Sequence, residues 1–488
     1  MYTSLKPEKH NHSHAPNKFS VLPTPVRLNA LFEYTGKGVT IAFLDSGFYP
    51  HPDLTMPTNR ILAYVDITNP EATLDPDAEP EGIAWHGTQT CVAAVGNGYY
   101  SDGAYRGVAS DARVVLIKVS QDGKIPEENI AKGIRWVIDN KEKYNIRVVN
   151  ISLGGDEDVS YKENIVDQAA EEAVSKGLVL VVAAGNSGDS AAHFTVPPAN
   201  SPSVITVGGS DDKNRFGNKT VDLYHSNWGP TADGILKPEI VAPAIWVAAP
   251  ILPNTPLYKK AETLAELAGV PDFMLKEIVR ERGKDAGLPA NAHTLPTEKI
   301  RALMDEQLKR DKLVAAHYQH VDGTSFAAPI VSSIVAQMLE ANPKLTPTAI
   351  KHILISTADR IQGKSLIRQG YGVINVQRAV GVAKQEQFTI GEEYFLPPRI
   401  EAEHLVFYYH DDWAKTVSLA GDFNKWEAGF TPFVRNEKGV WRAQIELLPP
   451  GQHRYKIVID GNRWIEDPSN GLKEADGYGG FNSILHIS

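Results

Sequence analysis

The chain has almost no cysteine, no long apolar run and no excess of basic charge. Its 488 residues include one cysteine, Cys91, so no disulfide can form within the chain. No stretch approaches the roughly 18 consecutive apolar residues of a membrane-spanning helix, so we expect no membrane partner. Lys and Arg number 49 against 59 Asp and Glu, a net charge of −10. This balance argues against a nucleic-acid partner, because phosphate contacts need clustered cations.

The beginning of the sequence also lacks a feature, the apolar core of about 7 to 15 residues that a secretory signal needs. We therefore predict a flexible tail at residues 1–20 and a cytoplasmic protein, which agrees with the single thiol. Secretion by another route stays open. The cluster of His10, His12 and His14 is read as part of a solvated tail, and no metal site is predicted from it.

Hydrophobic residues make up 42% of the chain and charged residues 22%, which is typical of globular domains. From residue 21 to 384, β-branched apolar runs alternate with helical patterns. The predicted strands are 39–44, 114–119, 148–153, 178–183 and 204–207, and the predicted helices between them are 88–94, 126–144 and 165–175. This alternation indicates an α/β domain with a parallel sheet flanked by helices. Functional residues are expected at the carboxyl ends of such strands.

A charge-rich segment, 251–316, interrupts this domain and predicts a helical insertion. Pro and Gly bracket a first helix at 272–282, and Pro296-Thr297 opens a second at 298–315. Two roles are open for the insertion. It could restrict access to a site as a lid, or it could be a passive decoration of the fold.

The pattern changes again near the C-terminus. Residues 385–402, with Pro397-Pro398, predict a linker. Residues 403–488 carry short strand patterns at 417–420, 441–447 and 454–459, and Asp460-Gly461 is a strong hairpin signal. These features predict a small immunoglobulin-like β-sandwich.

Three segments of the first domain carry the residue types of nucleophilic catalysis. Asp45 ends an apolar strand, His86 stands at the start of a helix, and Ser325 lies in Gly323–Pro329 at the start of another. A serine hydroxyl needs a base to take its proton, and the base needs a group that orients it. His86 could be that base and Asp45 the orienting carboxylate.

These motifs, in the order Asp, His, Ser, resemble those of the subtilisin-like serine peptidases, also called subtilases. The resemblance implies peptide-bond hydrolysis with Asp45, His86 and Ser325 as the catalytic triad, and with Asn186 of Ala183-Ala184-Gly185-Asn186 as the oxyanion-hole donor. It also implies that substrate peptides add as a strand along one backbone edge. The implied substrate-binding residues are Ser152, Leu153, Gly154, Ala184, Gly185 and Val196.

The sequence departs from the family pattern at several positions. Gln89 stands where a second His is usual, and Ala244 where Gly is usual. Val196 stands where many relatives have Gly, which implies a narrow primary pocket for small or medium side chains. No cofactor is expected for catalysis. Asp53 matches a family calcium ligand, so structural calcium is possible, although the usual calcium loop is replaced and no full set of oxygen ligands is present.

Cys91 follows His86 on the same predicted helix, at one turn's distance. Two interpretations are open. Its thiol could inhibit catalysis when modified, or it could be a small buried helix residue, and the second is favoured.

The C-terminal segment resembles the glycogen-binding modules of carbohydrate-binding family 48. The resemblance is carried by 419–426, 451–456, 460–464 and Phe481-Asn482. It implies α-glucan binding by four residues, two indoles that stack on sugar faces and two polar partners for hydroxyls: Trp426, Trp464, Lys456 and Asn482. The alternative is that these residues only stabilise the sandwich, and Trp441 is assigned to its core.

Three functions agree with some part of this pattern. The favoured one is a serine endopeptidase that acts on protein or peptide substrates and carries a module for α-glucan or for a docking partner. The alternative is an inactive or latent peptidase-fold scaffold associated with glycogen. A glucan-cleaving enzyme is disfavoured, because no paired-carboxylate signature stands in a matching fold.

Overall fold

The computed structural model describes residues 21–156, 159–190, 193–216, 221–385, 398–401, 403–411, 414–436, 440–470, 472–478 and 480–487. The predicted N-terminal tail lies outside these ranges, as does most of the predicted linker. Among the described residues, no helix is both long and apolar enough to cross a bilayer.

The first domain is built on one sheet whose long strands are all parallel. Its strands are β1 Thr40–Asp45, β2 Ile61–Asp66, β3 Arg113–Lys118, β4 Ile146–Ile151, β5 Val179–Ala183, β6 Ile205–Asp211, the short β7 Asp222–Leu223 and β10 Ile240–Pro243. Between β7 and β10, the strands β8 Gly229–Pro230 and β9 Leu236–Lys237 form a separate two-stranded ribbon. The order is β10-β6-β5-β4-β1-β3-β2, and β7 pairs antiparallel with β6. The fold class is therefore the predicted one, an α/β domain with a parallel sheet flanked by helices.

Helices cover both faces of this sheet. The helices of the chain are α1 Thr24–Arg27, α2 Pro52–Thr55, α3 Ala84–Val95, α4 Glu127–Tyr144, α5 Ile165–Ser175, α6 Pro256–Gly269, α7 Asp272–Arg282, α8 Thr297–Arg310, α9 Thr324–Ala341, α10 Pro347–Thr357, α11 Leu366–Gln369 and α12 Val376–Gln385. Apolar residues of α3, α9, α10 and α12 pack on one face of the sheet. Those of α4 and α5 pack on the other. Because both faces are buried, the strands read as continuous apolar runs in the sequence.

The insertion forms its own small core from α6, α7 and α8. It stands on a three-stranded antiparallel sheet of β11 Val247–Pro250, β12 Leu313–Ala315 and β13 Tyr318–Val321. The predicted helix 298–315 was wrong at its end. The helix stops at Arg310, Lys312 adopts a φ of 54°, and the chain then turns into β12. The strand pairing of β12 with β13 replaces the last predicted helical turn.

The C-terminal segment is a sandwich of two antiparallel sheets. One contains β14 Arg399–Glu401, β15 His404–His410, β18 Val434–Arg435 and β19 Val440–Glu446; the other contains β16 Val417–Gly421, β17 Thr431–Pro432, β20 Gly451–Ile459, β21 Arg463–Ile465, β22 Lys473–Ala475 and β23 Phe481–Ile487. Phe407, Leu419, Tyr455, Ile457 and Leu485 lie in the core between the sheets. The strand β14 falls inside the predicted linker 385–402 and pairs with β15, so the sandwich begins before residue 403.

Candidate active site

The carboxyl edge of the sheet brings the three predicted catalytic segments together. Asp45 is the last residue of β1, and its carboxylate is almost fully buried. His86 is the third residue of α3, and Ser325 is the second residue of α9. A Cβ added at Gly87 would lie 2.3 Å from the Gly47 carbonyl oxygen and 2.8 Å from the Asp45 Cβ. Only glycine therefore lets α3 approach β1 closely enough to set His86 beside Asp45.

A short hydrogen bond joins His86 to Asp45. The His86 Nδ1 lies 2.8 Å from the Asp45 Oδ1, which also accepts the Ser46 backbone N–H at 2.7 Å. Burial lowers the pKa of His86, but the charge and the hydrogen bond of Asp45 outweigh it, so the pKa stands above its ordinary value. The arrangement holds Nδ1 protonated and leaves Nε2 as the basic nitrogen.

The Ser325 hydroxyl lies against the end of β4. Its Oγ donates to the Ser152 carbonyl oxygen at 3.3 Å, and the Ser152 Oγ donates to the Ser325 carbonyl at 2.9 Å. Among the described contacts there is no hydrogen bond between Ser325 and His86, although the rings of His86 and Phe326 are 6.1 Å apart. Transfer of the hydroxyl proton to His86 therefore requires the Ser325 hydroxyl to turn from the Ser152 carbonyl towards the imidazole. Hydrogen bonds between a nucleophile and its base often shorten only once substrate binds.

Asn186 lies beside the segment that holds Ser325, and hydrogen bonds orient its amide. The Asn186 Oδ1 accepts the Thr324 backbone N–H at 2.9 Å and the Thr324 hydroxyl at 3.1 Å. The Thr324 Oγ1 in turn accepts the Gly185 N–H at 3.1 Å. These bonds commit the amide oxygen and leave the exposed Nδ2–H₂ group free to donate. Sequence reasoning gave Thr324 no role, and its only signal was its place next to Ser325.

The predicted substrate-binding residues lie at and just beyond the carboxyl ends of β4 and β5, with Val196 in a later loop. Ser152, Leu153 and Gly154 continue from the end of β4 with no strand on their free side in the described fold. A Cβ added at Gly154 would lie 3.0 Å from the Val196 Cγ2, so Val196 closes the space beside this edge. Ala184 is fully buried, and Gly185 adopts a φ of 101° close to Asn227. The Pro197–Pro198 peptide bond is cis.

The unusual Gln89 connects the catalytic helix to the insertion. Its side-chain amide donates to the Pro250 carbonyl oxygen at 2.9 Å, at the point where β11 leads into the insertion. Leu252, which follows, packs against Ala84 and Tyr49. The sequence showed that Gln89 is atypical, but its partner is 161 residues away and could not be inferred.

Asp53, the residue that left structural calcium possible, accepts hydrogen bonds from protein groups. Its buried carboxylate accepts the Tyr318 hydroxyl at 2.8 Å and the Tyr100 N–H at 3.4 Å, and burial raises its pKa to about 6. Calcium needs six to eight oxygen ligands, and within the described residues no group of three or more His, Cys, Asp or Glu could hold a metal. The residues present do not fit a calcium ion.

Cys91 is fully buried, and burial raises the pKa of its thiol well above the ordinary value. A protonated, inaccessible thiol is a poor target for modification. The structure therefore favours the interpretation of Cys91 as a packing residue of α3.

Three of the four predicted sugar-binding residues, Lys456, Trp464 and Asn482, lie in the second sheet of the sandwich. The register of β20 with β23, with Tyr455 opposite Ser483, places Lys456 beside Asn482, and Trp464 is opposite Val458. These three side chains share the outer face, because Tyr455 and Ile457 point into the core. Trp464 is 40% exposed, and the Lys456 ammonium pairs with Asp476. Trp426 lies in the turn after β16, and Trp441 is buried in the core, as predicted.

Comparison with known proteins agrees with this architecture. The model of the subtilase family matches residues 36–372, and that of carbohydrate-binding module 48 (isoamylase N-terminal domain) matches residues 396–476. Serine protease AprX of Bacillus subtilis (strain 168) is 31% identical over 356 residues, 71% of this chain and 67% of that protein. Subtilisin-like protease 1 of Arthroderma gypseum is 34% identical over 206 residues, 41% of this chain but only 36% of that protein.

Among solved structures, fervidolysin from Fervidobacterium pennivorans, a keratinolytic enzyme related to subtilisin, gives a TM-score of 0.49 at 21% identity, covering 87% of this chain and 53% of that one. The assignment does not depend on that likeness. The subtilase model alone spans more than half of the sequence and includes Asp45, His86 and Ser325. The chain belongs to the subtilase family of serine proteases.

Proposed function

We propose that this chain is an active serine endopeptidase in which Asp45, His86 and Ser325 form the triad. The observation that carries the proposal is the Asp45–His86 hydrogen bond of 2.8 Å at the carboxyl edge of the sheet. The His86 ring lies 6.1 Å from the ring of Phe326, the residue that follows Ser325. The Ser325 Oγ attacks the scissile carbonyl carbon while His86 Nε2 takes its proton. His86 then protonates the leaving amine, and water releases the acyl-enzyme by the reverse sequence.

Asn186 supplies charge stabilisation in this mechanism. Its Nδ2–H₂ group donates to the oxyanion, together with the Ser325 backbone N–H at the start of α9. Thr324 is a positioning residue, because it holds the amide oxygen and thereby aims the amide nitrogen. The substrate backbone pairs with the free edge 152–154, and Val196 limits the size of the residue whose carbonyl is attacked.

Active-site labelling with a fluorophosphonate probe tests the proposal. We expect the wild-type chain to be labelled and Ser325→Ala to remain unlabelled. Cleavage of a peptide library should fall by about 10⁶-fold in the variant, the loss typical of removing such a nucleophile. If the wild type showed no labelling and no cleavage, the latent scaffold would be favoured. Equal labelling of both chains would show that another residue reacts.

We also propose that the C-terminal module binds α-glucan. Support comes from the shared outer face of Lys456, Trp464 and Asn482, which offers an exposed indole for stacking beside polar groups for hydroxyls. Affinity electrophoresis in glycogen should retard the wild type and not Trp426→Ala/Trp464→Ala. Trp85→Ala removes a 49% exposed indole from the peptidase domain and serves as the matched control. Equal mobility of all three chains with and without glycogen would reject glucan binding.

A further inference from the structure

Two consecutive glycines at the proposed substrate edge face opposite sides. A Cβ added at Gly154 would meet Val196 and the Pro197 carbonyl, while one added at Gly155 would lie 1.8 Å from the Glu127 Oε1. The Gly155 N–H donates to the Pro197 carbonyl oxygen at 2.8 Å, which fixes this segment of backbone. The Glu127 carboxylate therefore occupies the position that a side chain at Gly155 would take.

Strand geometry relates these two sides to a bound substrate. In an antiparallel pair, opposed residues point their side chains to the same face, and faces alternate along the strand. The Ser325 Oγ touches the Ser152 carbonyl, so the first substrate position, whose carbonyl is attacked, lies opposite Ser152. The third position then lies opposite Gly154 on the Val196 side. The fourth position, three residues towards the substrate's N-terminus, lies opposite Gly155 on the side of Glu127.

The Glu127 carboxylate is held in place by one oxygen. Its Oε2 accepts the Asn164 Nδ2–H at 2.8 Å, and the Asn164 Oδ1 is fixed because it caps α5 through the Val166 N–H at 2.8 Å. Glu127 is also the first residue of α4, where the helix dipole favours a negative charge. The contacts of the described residues place no donor on Oε1 and no cationic partner on Glu127. A purely structural role explains why Glu127 Oε2 accepts the Asn164 hydrogen bond. It does not explain why Glu127 Oε1 has no donor among the described residues and lies beside Gly155.

The geometry points to Glu127 as a specificity determinant that selects Lys or Arg at the fourth substrate position. This inference rests on the proposed peptidase function and on strand pairing along 152–154. A basic side chain at that position runs beside the carboxylate and forms a charge-assisted hydrogen bond to Oε1. The first and third positions share the Val196 side of the substrate strand. In the proposed function Val196 limits size at the first position and Glu127 selects at the fourth, so preferred substrates combine a small residue before the scissile bond with a basic one three residues earlier.

Three quenched peptides, identical except for Lys, Ala or Glu at the fourth position and with Ala at the first, test this inference. For the wild type we expect kcat/KM to be roughly tenfold higher with Lys than with Ala, and lower still with Glu. The Lys preference should shrink as salt is raised, because the pair is partly solvated. Glu127→Gln keeps the shape and an acceptor for Asn164, and we expect it to bring the Lys-to-Ala ratio close to one.

Glu128→Gln is the matched control, since Glu128 is the exposed neighbour on the same helical turn. It should retain the Lys preference of the wild type. Equal kcat/KM for the three peptides in the wild type, or a Lys preference that survives in Glu127→Gln, would overturn the inference while leaving the peptidase function intact. Cleavage of none of the peptides would reject the peptidase function, and this inference with it.

Discussion

In the proposed mechanism, the Asp45 carboxylate determines the pH range in which His86 can act as a base. The imidazole accepts the Ser325 proton only when it is neutral, so kcat/KM should rise with pH through the His86 pKa, which Asp45 holds above its ordinary value. In Asp45→Asn the raising charge is gone and the lowering effect of burial remains. We expect this rising limb to move to lower pH, and the plateau to fall by about 10⁴-fold. The pH profile of kcat/KM for both chains provides the measurement, and an unmoved limb would show that Asp45 does not set the pKa.

In the proposed function, Val196 limits the size of the residue at the first substrate position. The Val196 Cγ2 lies 3.0 Å from the position that a Cβ added at Gly154 would take. In Val196→Gly this volume becomes available, so peptides with Phe at the first position should gain roughly 10- to 200-fold in kcat/KM relative to Ala peptides. Parallel thermal unfolding of the variant checks that the fold is intact. An unchanged Phe-to-Ala ratio in a folded variant would place the size limit elsewhere in the groove.

Among the elements, β13 supplies a hydrogen-bond donor to the buried Asp53. Its Tyr318 hydroxyl donates to the Asp53 carboxylate, at the residue for which the sequence left structural calcium possible. We expect the same melting temperature in excess EDTA and in excess calcium. Tyr318→Phe removes one of the donors to this buried carboxylate and should lose about 1–3 kcal/mol of stability, with no recovery on adding calcium.

Tyr105→Phe is the control for this loss, because the ring of Tyr105 lies 5.2 Å from that of Tyr318 and its hydroxyl does not contact Asp53. It should melt close to the wild-type temperature. A wild type that EDTA destabilises, or a Tyr318→Phe chain that calcium restores, would mean that Asp53 does bind the ion.

The helices and strands also show which parts of the fold could be predicted from the sequence and which could not. The buried parallel strands were predictable because both of their faces are apolar, and of the motif residues Asp45 stood at the end of such a strand while His86 and Ser325 stood at the starts of helices. The short strands β12 and β14 were missed, because three residues carry no period and their stability comes from a partner strand. The Gln89–Pro250 and Asp53–Tyr318 contacts join residues 161 and 265 positions apart, so they depend on how the insertion packs and leave no local signal.

On the scale of the whole molecule, the sandwich packs against the peptidase domain through a mainly apolar seam. A Cβ added at Gly234 of the peptidase domain would lie 2.7 Å from the Ile400 Cδ1 of the sandwich, so the two domains are in close contact here. Two polar contacts flank the seam, from the Tyr371 hydroxyl to the Ser469 carbonyl at 3.4 Å and from Arg360 Nη1 to the Lys473 carbonyl at 3.3 Å. The apolar lining comes from both domains: Ile235, Leu236, Ile367, Leu405, Leu472, Ile484 and Ile487. This interface fixes the proposed glucan face relative to the proposed active site.

Calorimetry of Ile400→Asp tests this coupling. The substitution places an unpaired charge in the seam, which costs several kcal/mol unless the domains separate. We expect the wild type to unfold in one transition and Ile400→Asp in two, with the peptidase transition a few degrees lower. Val434→Asp changes a 73% exposed residue of the same module and should behave as the wild type. Fluorophosphonate labelling of Ser325 should persist in both variants, because the seam lies beside β10 at the edge of the sheet, whereas Asp45 ends β1, an interior strand four places from β10. Two separate transitions in the wild type would instead mean that the sandwich is tethered without being coupled, and that glucan binding could not orient the peptidase.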